Sequence, residues 1–148
     1  MPKHTLYFSD KVYNSLEIDL AGAEGLSARV STLCSYAVTL LRQNVPALKF
    51  SEWGALLDIS NGQVRAFEPD HSSTVDSFAF SVAASGPECN AKWGVKCARL
   101  AEKFRALQLV EQLAVIEVCR RFWINPEVNA KFDNYRDMLT AHGAKFDD

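Results

Sequence analysis

The sequence predicts a mainly α-helical protein, with one short N-terminal β-strand ahead of a bundle of about six helices. Three observations lead there. Clean period-two alternation occurs in "HTLYFSD", where His4, Leu6 and Phe8 face one side and Lys3, Thr5, Tyr7 and Ser9 the other. Apolar residues recur at three- and four-residue intervals through "RVSTLCSYAVTLLRQN", and again through "QLVEQLAVIEVCRRFW".

The elements follow in order. Ser9 or Asp10 is placed to cap a first helix, with Val12, Leu16 and Leu20 on one stripe and Gly22 and Gly25 closing it in "AGAEG". Ser27 is expected to cap a second helix, whose stripe is Val30, Leu33, Cys34, Ala37, Val38 and Leu41 and which stops at Asn44 and Pro46. "SEWGALLDISNG" reads as a short helix capped by Ser51, burying Trp53, Leu56 and Leu57 and turning out at Asn61 and Gly62. "QVRAFEPDHSS" reads as loop, with a short extended piece at residues 64–67. Residues 72–85 fit either a strand or a helix, the run of alanines behind a Ser/Thr cap favouring helix. "GPECN" reads as a break.

Two helices then run nearly back to back, "KWGVKCARLAEKFRAL" and "QLVEQLAVIEVCRRFW". The second carries two stripes, Leu109, Leu113, Ile116 and Trp123 beside Val110, Ala114, Val118 and Phe122, so it is expected at the centre of the core. Asn125 as cap and Pro126 at the first position open a last helix, with Val128, Phe132, Tyr135 and Leu139 on one face to about Ala141. The tail "GAKFDD" is expected to fray. The natural division is residues 1–46 and 47–148, packed together as a single domain.

A chain of 148 residues, 48% hydrophobic and 23% charged, can bury a core and is not of disordered composition. Charge is uneven. Residues 1–50 hold five cations against four carboxylates, residues 51–90 one against six, and residues 91–148 ten against eight. The net charge of −2 gives no bulk attraction to nucleic acid, so any such binding needs a local patch. No signal-like leader and no run of ~20 apolar residues is present, which makes a cytoplasmic, soluble protein without membrane contact the expectation.

Catalytic motifs are missing: no GxxxxGK[ST], no GxGxxG after a strand, no GxSxG and no HExxH. His4, His71 and His142 lie far apart and are expected to be exposed. Cys34 and Cys119 fall in apolar stripes and read as buried small hydrophobes, while Cys89 and Cys97 flank a helix start without a zinc spacing. Glu111 and Glu117 point to different faces. No enzyme, metal or cofactor is expected. Lys92, Lys96, Arg99 and Lys103 recur at helical intervals as a cationic ridge, with Arg105 to one side. A phosphate backbone or an acidic partner would suit that ridge; a solvated face opposite Trp93, Val95, Leu100 and Phe104 is the preferred reading.

A strand alone among helices leaves its backbone hydrogen bonds unmet. Strand, capped helix, glycine turn and second helix within residues 3–44 resemble the ribbon–helix–helix module of bacterial, phage and plasmid repressors. The resemblance implies a homodimer in which two such strands pair antiparallel and enter the major groove of double-stranded DNA. It implies Lys3, Thr5 and Tyr7 as reading side chains, Leu6 and Phe8 in the dimer core, and Ser27 and Arg29 near phosphate at a helix start. The expected function is thus a DNA-binding transcriptional regulator. The alternative is a non-enzymatic interaction factor of phage or plasmid type acting on a host protein, through the acidic 51–90 segment and "PEVNAKFDNYRDML".

Overall fold

The computed structural model describes residue 10 and residues 26–61, 71–85 and 87–148, and over these the protein is mainly helical, as the periodicity predicts. The chain divides into two compact units, Met1–Thr39 and Leu40–Asp148. The expected strand at residues 3–9, its reading side chains Lys3, Thr5 and Tyr7, and the first helix to Gly25 lie outside the described residues, apart from Asp10, which is helical.

The first described helix, α1, spans Leu26–Gln43. Ser27 therefore sits within its first turn rather than ahead of it as a cap. Val30 and Leu33 are half-buried, but Cys34, Ala37 and Val38 are exposed, contrary to the expected stripe. Periodicity fixes which face is apolar; it does not supply a surface to cover that face. The helix ends where expected, with the Asn44 side-chain amide donating to the Leu40 carbonyl at 2.8 Å.

The second unit is built around two buried helices. The first, α2 (Phe50–Ser60), follows Lys49 at the cap position, so Ser51 too lies inside the helix. Trp53, Leu56 and Leu57 are fully buried on it. The ambiguous segment is helical, α3 (His71–Ala84), and buries Val75, Phe78, Ala79 and Val82. Within "GPECN", expected as a break, residues 87–90 are already helical: Pro87 opens α4 (Pro87–Trp93) from the first helical position, where a missing N–H is harmless.

The single helix expected from Lys92 to Leu107 is two. Gly94, at φ +66°, donates its N–H to the Asn90 carbonyl at 2.8 Å and closes α4. A left-handed residue costs glycine little and any other residue about 1 kcal/mol or more. After it comes α5 (Cys97–Ala106), burying Leu100, Ala101 and Phe104, with Phe104 packed 5.2 Å from Phe78 of α3. The next helix, α6 (Leu109–Ile124), is central as expected: Ala114, Val115, Ile116, Val118, Cys119 and Phe122 are buried. Leu109 departs from its stripe and is exposed, standing at the first turn.

The last expected helix is likewise divided into α7 (Pro126–Asn129) and α8 (Tyr135–Ala141). Asn125 stands at the cap position of α7 with Pro126 first, as expected, but its side chain makes no cap bond and its amide donates back to the Arg121 carbonyl at 2.8 Å. Asn134 caps α8 instead, accepting from the Asp137 N–H at 2.9 Å. Gly143, at φ +96°, ends α8. Its N–H bonds the Thr140 carbonyl and the Ala144 N–H bonds the Leu139 carbonyl, each at 3.0 Å, the paired bonds of a left-handed helix stop.

The tail does not fray. Lys145–Phe146 forms β2, which pairs in parallel with β1 (Ala47–Leu48), the one strand pairing among the described residues. Trp53 Nε1 donates to the Lys145 carbonyl at 2.9 Å, and the Phe50 N–H reaches Asp148 Oδ2 at 3.1 Å. Arg136 stacks 4.4 Å over the Phe146 ring and donates to the Asp148 carbonyl at 2.8 Å. No helix of the described residues is long and apolar enough to cross a membrane.

Candidate functional site

Splitting the basic helix at Gly94 redistributes its cations. Lys92 stays on α4, where Nζ lies 2.7 Å from Asp58 Oδ2 of α2, an oxygen that also accepts from Trp93 Nε1 at 2.7 Å. Lys96, Arg99 and Lys103 belong to the start and body of α5. The expected four-residue ridge therefore loses Lys92 and becomes something more concave.

Lys96, Arg99 and Lys103 meet Lys49, Ser51 and Glu52 from the start of α2 around a cleft of about 400 Å³. Gly94, Val95 and Leu100 complete its lining. Four cations thus converge against one carboxylate. Glu52 is doubly engaged: Oε2 lies 2.7 Å from Lys103 Nζ and accepts the Lys49 backbone N–H at 2.9 Å. Lys49, Lys96 and Arg99 stand in no ion pair among the described residues.

The helix start at Lys96 adds to this field. Lys96 makes no side-chain cap, and the first turn of α5 holds no acidic residue. Its first helical bond is Leu100 N–H to the Lys96 carbonyl at 3.0 Å, so the amides of Cys97, Ala98 and Arg99 have no acceptor within the helix. Such an end carries about half a positive charge and prefers an anion. Two cations sit there instead. By contrast, α6 starts with Glu111 accepting from the Gln108 N–H at 2.8 Å. The arrangement around α5 suits the binding of an oxyanion rather than proton transfer.

Other chemistry-bearing residues are occupied structurally. His142, expected to be exposed, is buried, with Nε2 2.6 Å from Asn129 Oδ1. The Asn129 amide donates to the Phe122 carbonyl at 2.8 Å, leaving Oδ1 to accept, so His142 carries its proton on Nε2. Burial, and then the nearby Arg121 charge, hold the His142 pKa below the ordinary 6.5. Cys119 is buried and its pKa is pushed up to about 12 by desolvation, which suppresses the thiolate. Cys97 is buried as well, whereas Cys34, expected in the core, is exposed. Glu117 pairs with Arg121 at 3.6 Å and with Arg120 at 3.8 Å. Among the described residues no cluster of three or more His, Cys, Asp and Glu side chains is placed to hold a metal.

Lysine and arginine spacing revealed three of the four cleft cations in the sequence. Lys49 was hidden from that reading because it arrives from another helix. The chain matches no protein-family model, and neither a curated protein nor a solved structure is similar to it.

Proposed function

We propose that this chain is a non-enzymatic, homodimeric DNA-binding regulator of ribbon–helix–helix type, whose second unit adds phosphate contacts at the rim of the cationic cleft. The observation that carries the reading is Lys49, Lys96 and Arg99 gathered around one cleft, with no ion pair among the described residues, in a chain of net charge −2. Like charges gathered against the bulk balance repel one another, and an external anion relieves that repulsion. The alternation of residues 3–9 and the helix bearing Arg29 support the same reading, with Lys3, Thr5 and Tyr7 as base-reading side chains and Ser27 near phosphate.

The test is fluorescence anisotropy with duplex DNA from upstream of the chain's own coding region and a shuffled duplex, over a salt series. Affinity is expected to fall steeply with salt, and Arg99→Ala to weaken both duplexes alike while lowering the log–log salt slope by about 1. Lys3→Ala and Tyr7→Ala are expected to narrow the difference between the duplexes with the dimer intact, and Leu6→Asp to give monomers. Absence of binding at low salt would sink the proposal.

A second reading, an interaction factor acting on a host protein, draws support from α1, where Tyr36 is 64% and Leu40 54% exposed one helical turn apart. Exposed apolar neighbours are common at protein contacts. Tyr36→Ser would then abolish co-purification of a specific host protein and leave DNA affinity untouched.

A further inference from the structure

We propose that the cleft between the starts of α2 and α5 is a seat for a compact phosphate anion of the diphosphate class, which competes with DNA for Lys96 and Arg99. This rests on the DNA reading above for its regulatory meaning, though not for the binding itself. Size decides the ligand class. A concavity of about 400 Å³ lies in the range of small-ligand pockets, and it is far too small to admit a duplex, which meets only its rim. A diphosphate fits within it.

Charge decides the rest. Lys49, Lys96 and Arg99 line the cleft without an ion-pair partner among the described residues. Lys96 and Arg99 stand at the start of α5, so the positive end of that helix lies beside the same cleft. A multiply charged oxyanion satisfies these cations at once, since its several oxygens accept from guanidinium and ammonium groups together. The buried side chains of Val95 and Leu100 give the remaining lining an apolar, partly dehydrated character that strengthens each of those bonds.

Glu52 acts as an internal competitor. Its side chain is mostly buried, and it neutralises Lys103 at 2.7 Å. Glu52→Gln keeps an oxygen to accept the Lys49 N–H while releasing Lys103 to the ligand. That change raises anion affinity. Lys103→Met does the reverse, leaving Glu52 uncompensated beside the seat.

Isothermal titration of the full chain with inorganic pyrophosphate, in a phosphate-free buffer of low ionic strength, tests the proposal. One saturable site per chain is expected. Lys96→Ala and Arg99→Ala are expected each to weaken it about tenfold or more, the loss of one charge-assisted contact. Glu52→Gln is expected to tighten it several-fold and Lys103→Met to weaken it, while Arg120→Ala, on α6 and outside the cleft, leaves it unchanged; circular dichroism verifies that each variant is folded. Pyrophosphate is also expected to displace bound duplex. No saturable binding, or binding indifferent to both Lys96→Ala and Arg99→Ala, overturns this inference even where DNA still binds. Pyrophosphate binding without any DNA affinity upholds the seat and removes the regulator reading alone.

Discussion

A methyl group added to Gly54 would arrive 2.5 Å from Cζ3 of Trp93, inside the indole ring's own volume. The glycine lies mid-helix, where alanine is ordinarily better by about 1 kcal/mol. Here close approach outweighs propensity. The Trp93 ring is pinned by its bond to Asp58 and its edge contact with Phe50 at 5.9 Å, so it has little room to retreat. Gly54→Ala is expected to destabilise by about 1–3 kcal/mol, the usual range for overpacking, read as a lowered denaturant midpoint with unchanged m-value. A sequence reader sees a weak helical glycine there, because the ring that needs the space comes from a later helix. His142 is a second such residue. Its folded pKa lies below the 6.5 of the unfolded chain, so the unfolded state takes up a proton first as pH falls. Its contribution is complete above 6.5 and is lost progressively below, down to the folded midpoint. Nuclear magnetic resonance titration is expected to place the imidazole midpoint below 6.5 with the neutral ring protonated on Nε2. Stability measured from pH 7 downward is expected to fall less in His142→Gln than in the parent.

At the scale of elements, the tail shows how a strand can escape its own sequence. Two residues, Lys145 and Phe146, are too few to alternate, and the glycine before them suggests an ending. What holds them is elsewhere: the Leu48 carbonyl accepting from the Asp147 N–H at 3.2 Å, the Trp53 indole, and Arg136 lying over Phe146. Asp148 gives the Phe50 N–H a carboxylate acceptor at a helix start, where negative charge is favoured. Deleting residues 145–148 is expected to lower stability by about 1–3 kcal/mol through the lost buried contacts and unmet donors. The Trp53 indole would then emit at longer wavelength. Arg136→Ala, which removes an exposed stack and a surface ion pair of 3.3 Å, is expected to have a smaller effect.

Across the whole molecule, what could be read depended on distance along the chain. Helices with long periodic patterns, such as α6 with Ala114, Val118 and Phe122, declare themselves because each turn repeats the same instruction. The interruptions at Gly94 and before Asn134 are harder to read, since the apolar spacing continues on both sides of each. The cleft divides in the same way. Lys96, Arg99 and Lys103 lie in one run; Lys49 and Glu52 join them only when α2 and α5 bring their starts together. Glu52 has two partners, one local and one distant, and only the capping bond to Lys49 follows from spacing. The charge total misleads for the same reason, because a chain of net −2 still assembles a strongly positive hollow.

The parallel pairing of Ala47–Leu48 with Lys145–Phe146 has a consequence during manufacture of the chain. A ribosome extends the polypeptide from its amino end, so β2 emerges long after the β1 strand it pairs with. Until then the acceptor for Trp53 Nε1 and the carboxylate at Phe50 do not yet exist, although every helix from α2 to α8 has already been made. The bonds that join the start of α2 to β2 therefore form only after residues 145–148 have cleared the exit tunnel.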